Sequence, residues 1–279
     1  MEKHQRNYGA NGKIMSYMQQ AYRYPTDFET LIYASQLLQA DGIRYGVEHF
    51  RRNRGRCMGA VYWQLNDCWP VISWSSIDYW GRWKALHYYA RRFFAPVLVS
   101  CEGESWMTQE ANMNRQHFEF EKSIRFNASN ETRQDKEILL KWQIRDQKAK
   151  VLRSEEAYIE VPALSSRWLD KVLLPEIDVF TEYVSYQAYD GGKEIAEGTV
   201  IFSYPKYFRY QDPELSVELQ YPWLIVRAKA YAKSVEIQNE DQDMVLSDNY
   251  FDMNGGEKRV QILRGKPEGL KIRSVYDIR

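Results

Sequence analysis

Tyr62-Trp63-Gln64-Leu65-Asn66-Asp67-Cys68-Trp69-Pro70, continued by Ser73-Trp74-Ser75-Ser76-Ile77-Asp78-Tyr79 and by Gly81-Arg82-Trp83-Lys84-Ala85-Leu86-His87-Tyr88-Tyr89, decides the reading of this chain. From Tyr62 to Tyr89, Trp80 included, the stretch holds five of the nine tryptophans, two aspartates and Asn66. The run that leads into it, Met58-Gly59-Ala60-Val61-Tyr62-Trp63, is nearly continuously apolar. Such a run predicts a strand buried on both faces, as in a parallel sheet. Flat indole faces beside Asn and Asp suit a sugar, which offers C–H groups to stack on aromatics and hydroxyls to hydrogen-bond. On residue types alone, an aromatic-rich core corner explains the stretch equally well.

Upstream, Thr26 and Glu29 form a capping-box signature after Pro25. The helix it predicts carries Leu37, Ala40, Ile43, Val47 and Phe50 at helical spacing and stops at Gly55. Downstream, a helix is expected from about Trp83 to Ala95, with Pro96 as the stop. Residues 1–95 therefore read as a piece of an α/β domain. One strand with its helices cannot close a sheet, so the helix faces and Val61 to Leu65 are expected to lack partners and to be loosely held. Beyond Pro96 short β runs take over: Val97–Cys101, Phe118–Phe120, Ile124–Ala128, Ile138–Ile144, Ala157–Val161, Tyr183–Tyr189 and Thr199–Phe202. Asp190-Gly191-Gly192 reads as a turn between two of them, and the set indicates a β-sandwich. After Tyr204-Pro205 and Asp212-Pro213, a second and smaller sandwich is expected from Trp223–Tyr231, Val235–Ile237, Val245–Leu246, Arg259–Leu263 and Leu270–Val275, with Asn254-Gly255-Gly256 as its turn.

At 279 residues there is room for two or three domains. The 38 basic and 38 acidic residues cancel, so no global field favours nucleic acid or an anionic membrane. No apolar run approaches the roughly 18 residues of a membrane span. Neither nucleic acid nor membrane is expected as a partner. Cys57, Cys68 and Cys101 make no even-numbered framework, and the polar start Lys3-His4-Gln5-Arg6-Asn7 has no apolar signal region. A cytoplasmic location is the expectation. His4, His49, His87 and His117 are too far apart for metal-ligand spacing, and no cofactor is expected.

Asn66 and Asp67 follow the expected strand directly, the edge where barrels and open α/β sheets gather ligand-binding groups. A turn cap by Asp67 is the competing reading. Retaining glycoside hydrolysis needs two carboxyl groups roughly 5–5.5 Å apart. Neither Asp78 nor Glu48 makes a convincing second member beside Asp67, and no phosphate loop or Gly-x-Ser-x-Gly elbow is present.

Met58 to Pro70 followed by Ser73 to Phe93 closely resembles the last barrel strand and helix of β-mannosidases of glycoside hydrolase family 2. Tyr33 to Ala40 and Tyr45 to His49 resemble the preceding helix, and Leu246 to Asp252 the final β-domain. The resemblance implies a fold that is α/β plus all-β: the terminal portion of a (β/α)8 TIM barrel followed by two immunoglobulin-like β-sandwiches. On that reading residues 1–95 are the C-terminal end of the glycosidase barrel. Residues 96–206 are one sandwich and 207–279 the other. It implies a retaining exo-β-mannosidase that removes terminal β-linked mannose from oligosaccharides, with the rest of the parent enzyme as partner. Its two catalytic glutamates, in Ser-Glu-Phe-Gly and Asn-Glu motifs, are expected upstream of Met1, so this chain alone is expected to be inactive. Asn130-Glu131 and Asn239-Glu240 match the second motif by letter only. What carries over is the wall of the sugar pocket, with Trp63 as the platform under the mannosyl ring. Asn66 and Asp67 are its hydrogen-bond partners or supports, and Trp69 and Trp74 its rim. Two alternatives remain open. One is another family-2 exoglycosidase, a β-galactosidase or β-glucosaminidase; the other is a non-catalytic sugar-binding or interaction module.

Overall fold

Where the chain pairs its backbone decides what it can position. The computed structural model describes residues 2–5, 7–108 and 119–278. His117 and Phe118, the latter the first residue of an expected strand, lie outside them; Glu119 and Phe120 are in no strand. The chain divides into two compact units, one from Val47–Ala60 and Arg92–Arg209, the other from Met1–Gly46, Val61–Arg91 and Tyr210–Arg279.

The first of these is a sandwich of two antiparallel sheets. One sheet contains β1 (Val97–Glu104), β2 (Ser123–Asn130), β5 (Ser165–Trp168) and β6 (Val172–Leu173), with β2 pairing the other three. The other runs β4-β3-β7-β8, from β3 (Lys136–Asp146), β4 (Val151–Val161), β7 (Glu182–Asp190) and β8 (Lys193–Ile201). Period-two alternation builds the core between them. Ile138, Leu140 and Trp142 of β3 are buried with Ile124, Phe126 and Ala128 of β2 and Val184 and Ala188 of β7. Glu137, Leu139 and Lys141 point the other way. The edge strand β4 carries Arg153, Glu155 and Glu156 in its exposed first half, a charged edge that discourages further strand pairing. Gly191 and Gly192, at φ 58° and 81°, make the expected tight turn between β7 and β8. Gly198 of β8 lies under the Tyr186 ring of its partner strand, and a Cβ there would come within 2.6 Å of that ring. β5 and β6 are absent from the sequence reading because each is too short to show a period.

In the other unit a five-stranded antiparallel sheet runs β11-β12-β10-β13, with β9 also pairing β10. Its strands are β9 (Ser216–Gln220), β10 (Trp223–Gln238), β11 (Val245–Leu246), β12 (Phe251–Arg264) and β13 (Lys271–Arg273). The two runs expected at 223–231 and 235–237 are one strand, β10. Its register against β12 shifts between Ala228 and Tyr231 and again between Ala232 and Val235. Asn254-Gly255-Gly256, expected as a turn, lies inside β12. Gly255 and Gly256, at φ 74° and 78°, lie opposite a bulge in β10, where Lys229 and Ala230 face Gly255 alone, rather than at a chain reversal.

The helices are α1 (Ala10–Ala21), α2 (Phe28–Arg52) and α3 (Ala85–Phe93). The start of α2 is capped by Asp27 instead of Thr26: Asp27 Oδ1 accepts the Thr30 N–H at 2.8 Å and Oδ2 the Thr30 hydroxyl at 2.8 Å. The helix faces do find partners, contrary to expectation. Tyr33, Ala34, Leu37 and Ala40 are buried, as are Leu86, Tyr88 and Tyr89. Tyr33 donates its hydroxyl proton to the Ser234 carbonyl at 2.6 Å, and Tyr88 Oη accepts the Leu246 N–H at 3.2 Å. Both bonds tie helices to the sheet of the same unit.

The run Met58 to Leu65 departs most from its reading. It is not a strand, and Val61, Trp63 and Leu65 are 97%, 73% and 57% exposed. A strand exists only through its neighbours' hydrogen bonds, and among the described residues no ladder runs along 58–65; only the Gln64 and Leu65 carbonyls accept backbone hydrogen bonds, from the N–H groups of Ser76 and Ile77. Within residues 1–95 the described β structure is limited to single bridges, Asn66 with Ile77 and Ile77 with Trp83. Among the described residues, β-sheets with few helices are therefore what the structure contains, and the expected barrel portion is not seen.

Candidate sugar-facing loop

The segment from Trp63 to Lys84 is held as a loop from inside. Asp67 is its anchor. Its buried carboxylate accepts the Ser73 hydroxyl at 2.7 Å and the Ser75 hydroxyl at 2.6 Å. Lys84 Nζ donates to Ser75 Oγ at 2.9 Å and lies 3.6 Å from Asp67 Oδ2. Burial pulls the Lys84 ammonium below its ordinary value, while Asp67 and Asp78 oppose that shift. The backbone adds a second layer. Ile77 N–H donates to the Leu65 carbonyl at 2.8 Å, Ser76 N–H to Gln64 at 3.0 Å, and Lys84 N–H to Ser76 at 3.0 Å. Ser76 Oγ also meets Tyr62 Oη at 2.9 Å and His87 Nδ1 at 3.2 Å. Burial lowers the His87 pKa, disfavouring the imidazolium.

Asp78 closes the far end of the loop. Its Oδ1 accepts the backbone N–H groups of Trp80 and Arg82 at 3.0 and 2.9 Å, and its Oδ2 the Arg82 Nε–H at 2.6 Å. This is an Asx-type turn braced by an ion pair. Both aspartates are therefore occupied by their own loop, and neither faces outward as a free acid.

What the loop presents is aromatic. Trp63 stands at 73% exposure beside a cis peptide to Gln64. Trp74 is 46% exposed, and its carbonyl accepts the Gln39 amide at 2.7 Å. Trp69 is half-buried and stacks on His4, the ring planes 12° apart. Asn66 is exposed, its amide donating to the Asp67 carbonyl at 3.2 Å. Of the five residues singled out in the sequence, Trp63, Asn66 and Trp74 reach solvent, Trp69 packs inward and Asp67 is internal. Sequence reading passed over Ser73, Ser75 and Lys84, which hold Asp67. A serine-rich stretch following an Asn-Asp pair was the available signal. Among the described residues, no group of three or more His, Cys, Asp or Glu side chains could hold a metal ion.

Residues 122–207 match the Mannosidase Ig/CBM-like domain, and residues 210–278 match the Ig-fold domain. A β-mannosidase of Capra hircus is 50% identical over 78 residues, covering 25% of this chain and 9% of its own length. β-Mannosidase B of Aspergillus terreus is 36% identical over 135 residues, 47% of this chain and 16% of the relative. The matched stretches thus span a small part of the curated relatives. Among solved structures, β-D-mannosidase from Dictyoglomus thermophilum superposes with a TM-score of 0.82 at 24% identity. It covers 98% of this chain and 33% of its own. An exo-chitosanase of Amycolatopsis orientalis superposes with a TM-score of 0.62 at 13% identity, over 93% of this chain and 36% of its own. At these identities the two superpositions speak to fold alone.

Proposed function

We propose a role for a chain that corresponds, by these domain and sequence matches, to the C-terminal part of a β-mannosidase of glycoside hydrolase family 2. It supplies one wall of the pocket in which a retaining exo-β-mannosidase cleaves terminal β-linked mannose. The carboxylate pair comes from elsewhere in the parent. The observation that carries this is Trp63: a large indole held at the surface by a loop whose own acids are turned inward. An exposed indole on a braced loop is a stacking surface whose position is fixed before the ligand arrives, and such preorganisation favours the transition state.

On this reading Asn66 and Trp74 contact the sugar or its leaving group, Asp67 sets the loop's shape, and Trp69 supports the rim. Residues 1–95 form the end of the barrel, 96–206 and 207–279 the two immunoglobulin-like domains. On this reading the nucleophile and the acid both belong to the rest of the parent, and the chain alone is expected to hydrolyse no glycoside.

The experiment is kinetic. In the longer parent, Trp63→Ala is assayed with an aryl β-mannoside alongside the unmodified enzyme. The expected result is a fall in kcat/KM of about a hundredfold, the order of a lost positioning group, with the melting temperature unchanged. Full activity in Trp63→Ala would refute the platform role. Aryl β-galactoside and aryl β-glucosaminide in the same assay decide the competing family-2 activities.

A further inference from the structure

The outer face of the sheet β4-β3-β7 carries a row of apolar side chains that the core does not use. Leu139 of β3 is in register with Tyr158 of β4 on one side and with Tyr189 of β7 on the other. All three lie out of phase with the buried Ile138, Leu140 and Ile159. Tyr158 is 65% exposed. Together with Glu137, Lys141, Gly191 and Gly192, the three line a hollow of about 390 Å³, within the range of small-ligand sites. The two glycines leave its end open, since a Cβ on either would meet nothing within 4 Å.

We propose that this face is a second carbohydrate-binding surface, taking a short neutral oligosaccharide lengthwise across the strands. Strands lie about 4.8 Å apart, so the tyrosines of β4 and β7 are separated by two strand spacings, a span that two linked pyranose rings fill. Phenol rings at the two ends and an aliphatic floor between them are the contacts that the C–H faces of sugars seek. Hydroxyls need donors and acceptors at the rim, and the register supplies both. Glu137 is opposite Glu160 on one side of the row; on the other, Lys141 is opposite Glu156 and Gln187. The acid-rich rim disfavours an anionic ligand.

A protein partner fits this surface less well. Stable interfaces bury about 800 Å² on each side and deplete charge at their centre. Here charged residues begin one step from a row only three side chains long. The surface lies in the unit that does not contain Trp63, and the inference stands whether or not the pocket-wall reading is correct.

The test is titration calorimetry with β-1,4-linked mannotriose on the unmodified chain and on Tyr158→Ala, Tyr189→Ala and, as a control, Tyr17→Ala. Millimolar binding is expected for the unmodified chain. Tyr17→Ala, an exposed tyrosine of α1 that lies on neither sugar surface, should retain it, and Tyr158→Ala should weaken it by about tenfold or more. Because Tyr158 is an exposed edge-strand residue, the melting temperature of Tyr158→Ala should not move, which separates loss of ligand from loss of fold. No binding by the unmodified chain would overturn the proposal, as would binding that survives both tyrosine substitutions. So would self-association that Tyr158→Ala abolishes in a chain that binds no sugar.

Discussion

At the scale of the residue, Asp67 and Trp63 divide the labour of the loop. The sequence placed both at one mouth because neighbouring letters share an address. It could not show that a carboxylate beside two serines and a lysine is consumed internally, since those partners are fixed only by the chain's return over Ser73 to Lys84. Removing the carboxylate leaves a largely buried ammonium without its nearer counter-charge. Asp67→Ala should therefore destabilise the chain by about 3 kcal/mol, the lower end for breaking a buried pair, read as a shift of the urea midpoint at constant slope. A loss of only about 0.5 kcal/mol would mean the loop is held by its backbone bonds. The tryptophans give a second contrast. Trp142, buried between the sheets of the sandwich, should cost about 3–5 kcal/mol as Trp142→Ala. Trp63→Ala should stay within about 0.5 kcal/mol, as exposed substitutions do. Equal destabilisation by the two would show that Trp63 is a packing residue.

At the scale of the element, legibility followed whether a segment's partners were local or distant. Ile138 to Ile144 was readable as a strand because its alternation is written in its own letters, and the Gly191-Gly192 turn because a tight hairpin dictates positive φ. Asn254-Gly255-Gly256 carries the same glycine signal, yet it runs on within β12 opposite a bulge in β10, and only the register of the two strands distinguishes the two cases. Met58 to Leu65 has the composition of a buried strand and, among the described residues, no strand beside it. Hydrogen exchange follows from that difference. The amides of Val61 to Leu65 should exchange within the dead time, whereas those of Leu224 to Ala228, in the middle of β10, should be protected to nearly the global free energy. Equal protection at both would mean that Met58 to Leu65 has found a strand partner.

At the scale of the molecule, the chain's balanced charge hides a strongly polar interior in the unit that contains Trp63. Burial raises the phenols of Tyr22, Tyr33, Tyr210 and Tyr250 well above the ordinary value and that of Tyr89 more modestly. Burial alone would lower the Lys233 ammonium, but the carboxylates of Asp252 and Asp41 outweigh it and hold the group above its ordinary value. Groups whose folded pKa is raised stabilise fully below their unfolded pKa, about 10 for tyrosine and lysine, and lose that contribution as pH rises through the folded value. Stability limited by these groups should therefore hold up to about pH 10 and fall steeply above it. The five phenols should ionise together with unfolding in a 295 nm titration, and gradual ionisation of all tyrosines in the folded chain would contradict this. The same scale sets the functional claim. The likeness to β-mannosidases was legible in the motif from Met58 to Phe93, but a braced aromatic wall cannot cleave a glycosidic bond without two carboxyl groups, and both aspartates of the loop are turned inward. The most direct test is p-nitrophenyl β-mannoside offered to the purified chain and, in parallel, to the longer parent. The account predicts release by the parent and none by the chain above an enzyme-free control. Turnover by the chain alone at about 1 s⁻¹, the pace of a working enzyme, would contradict it.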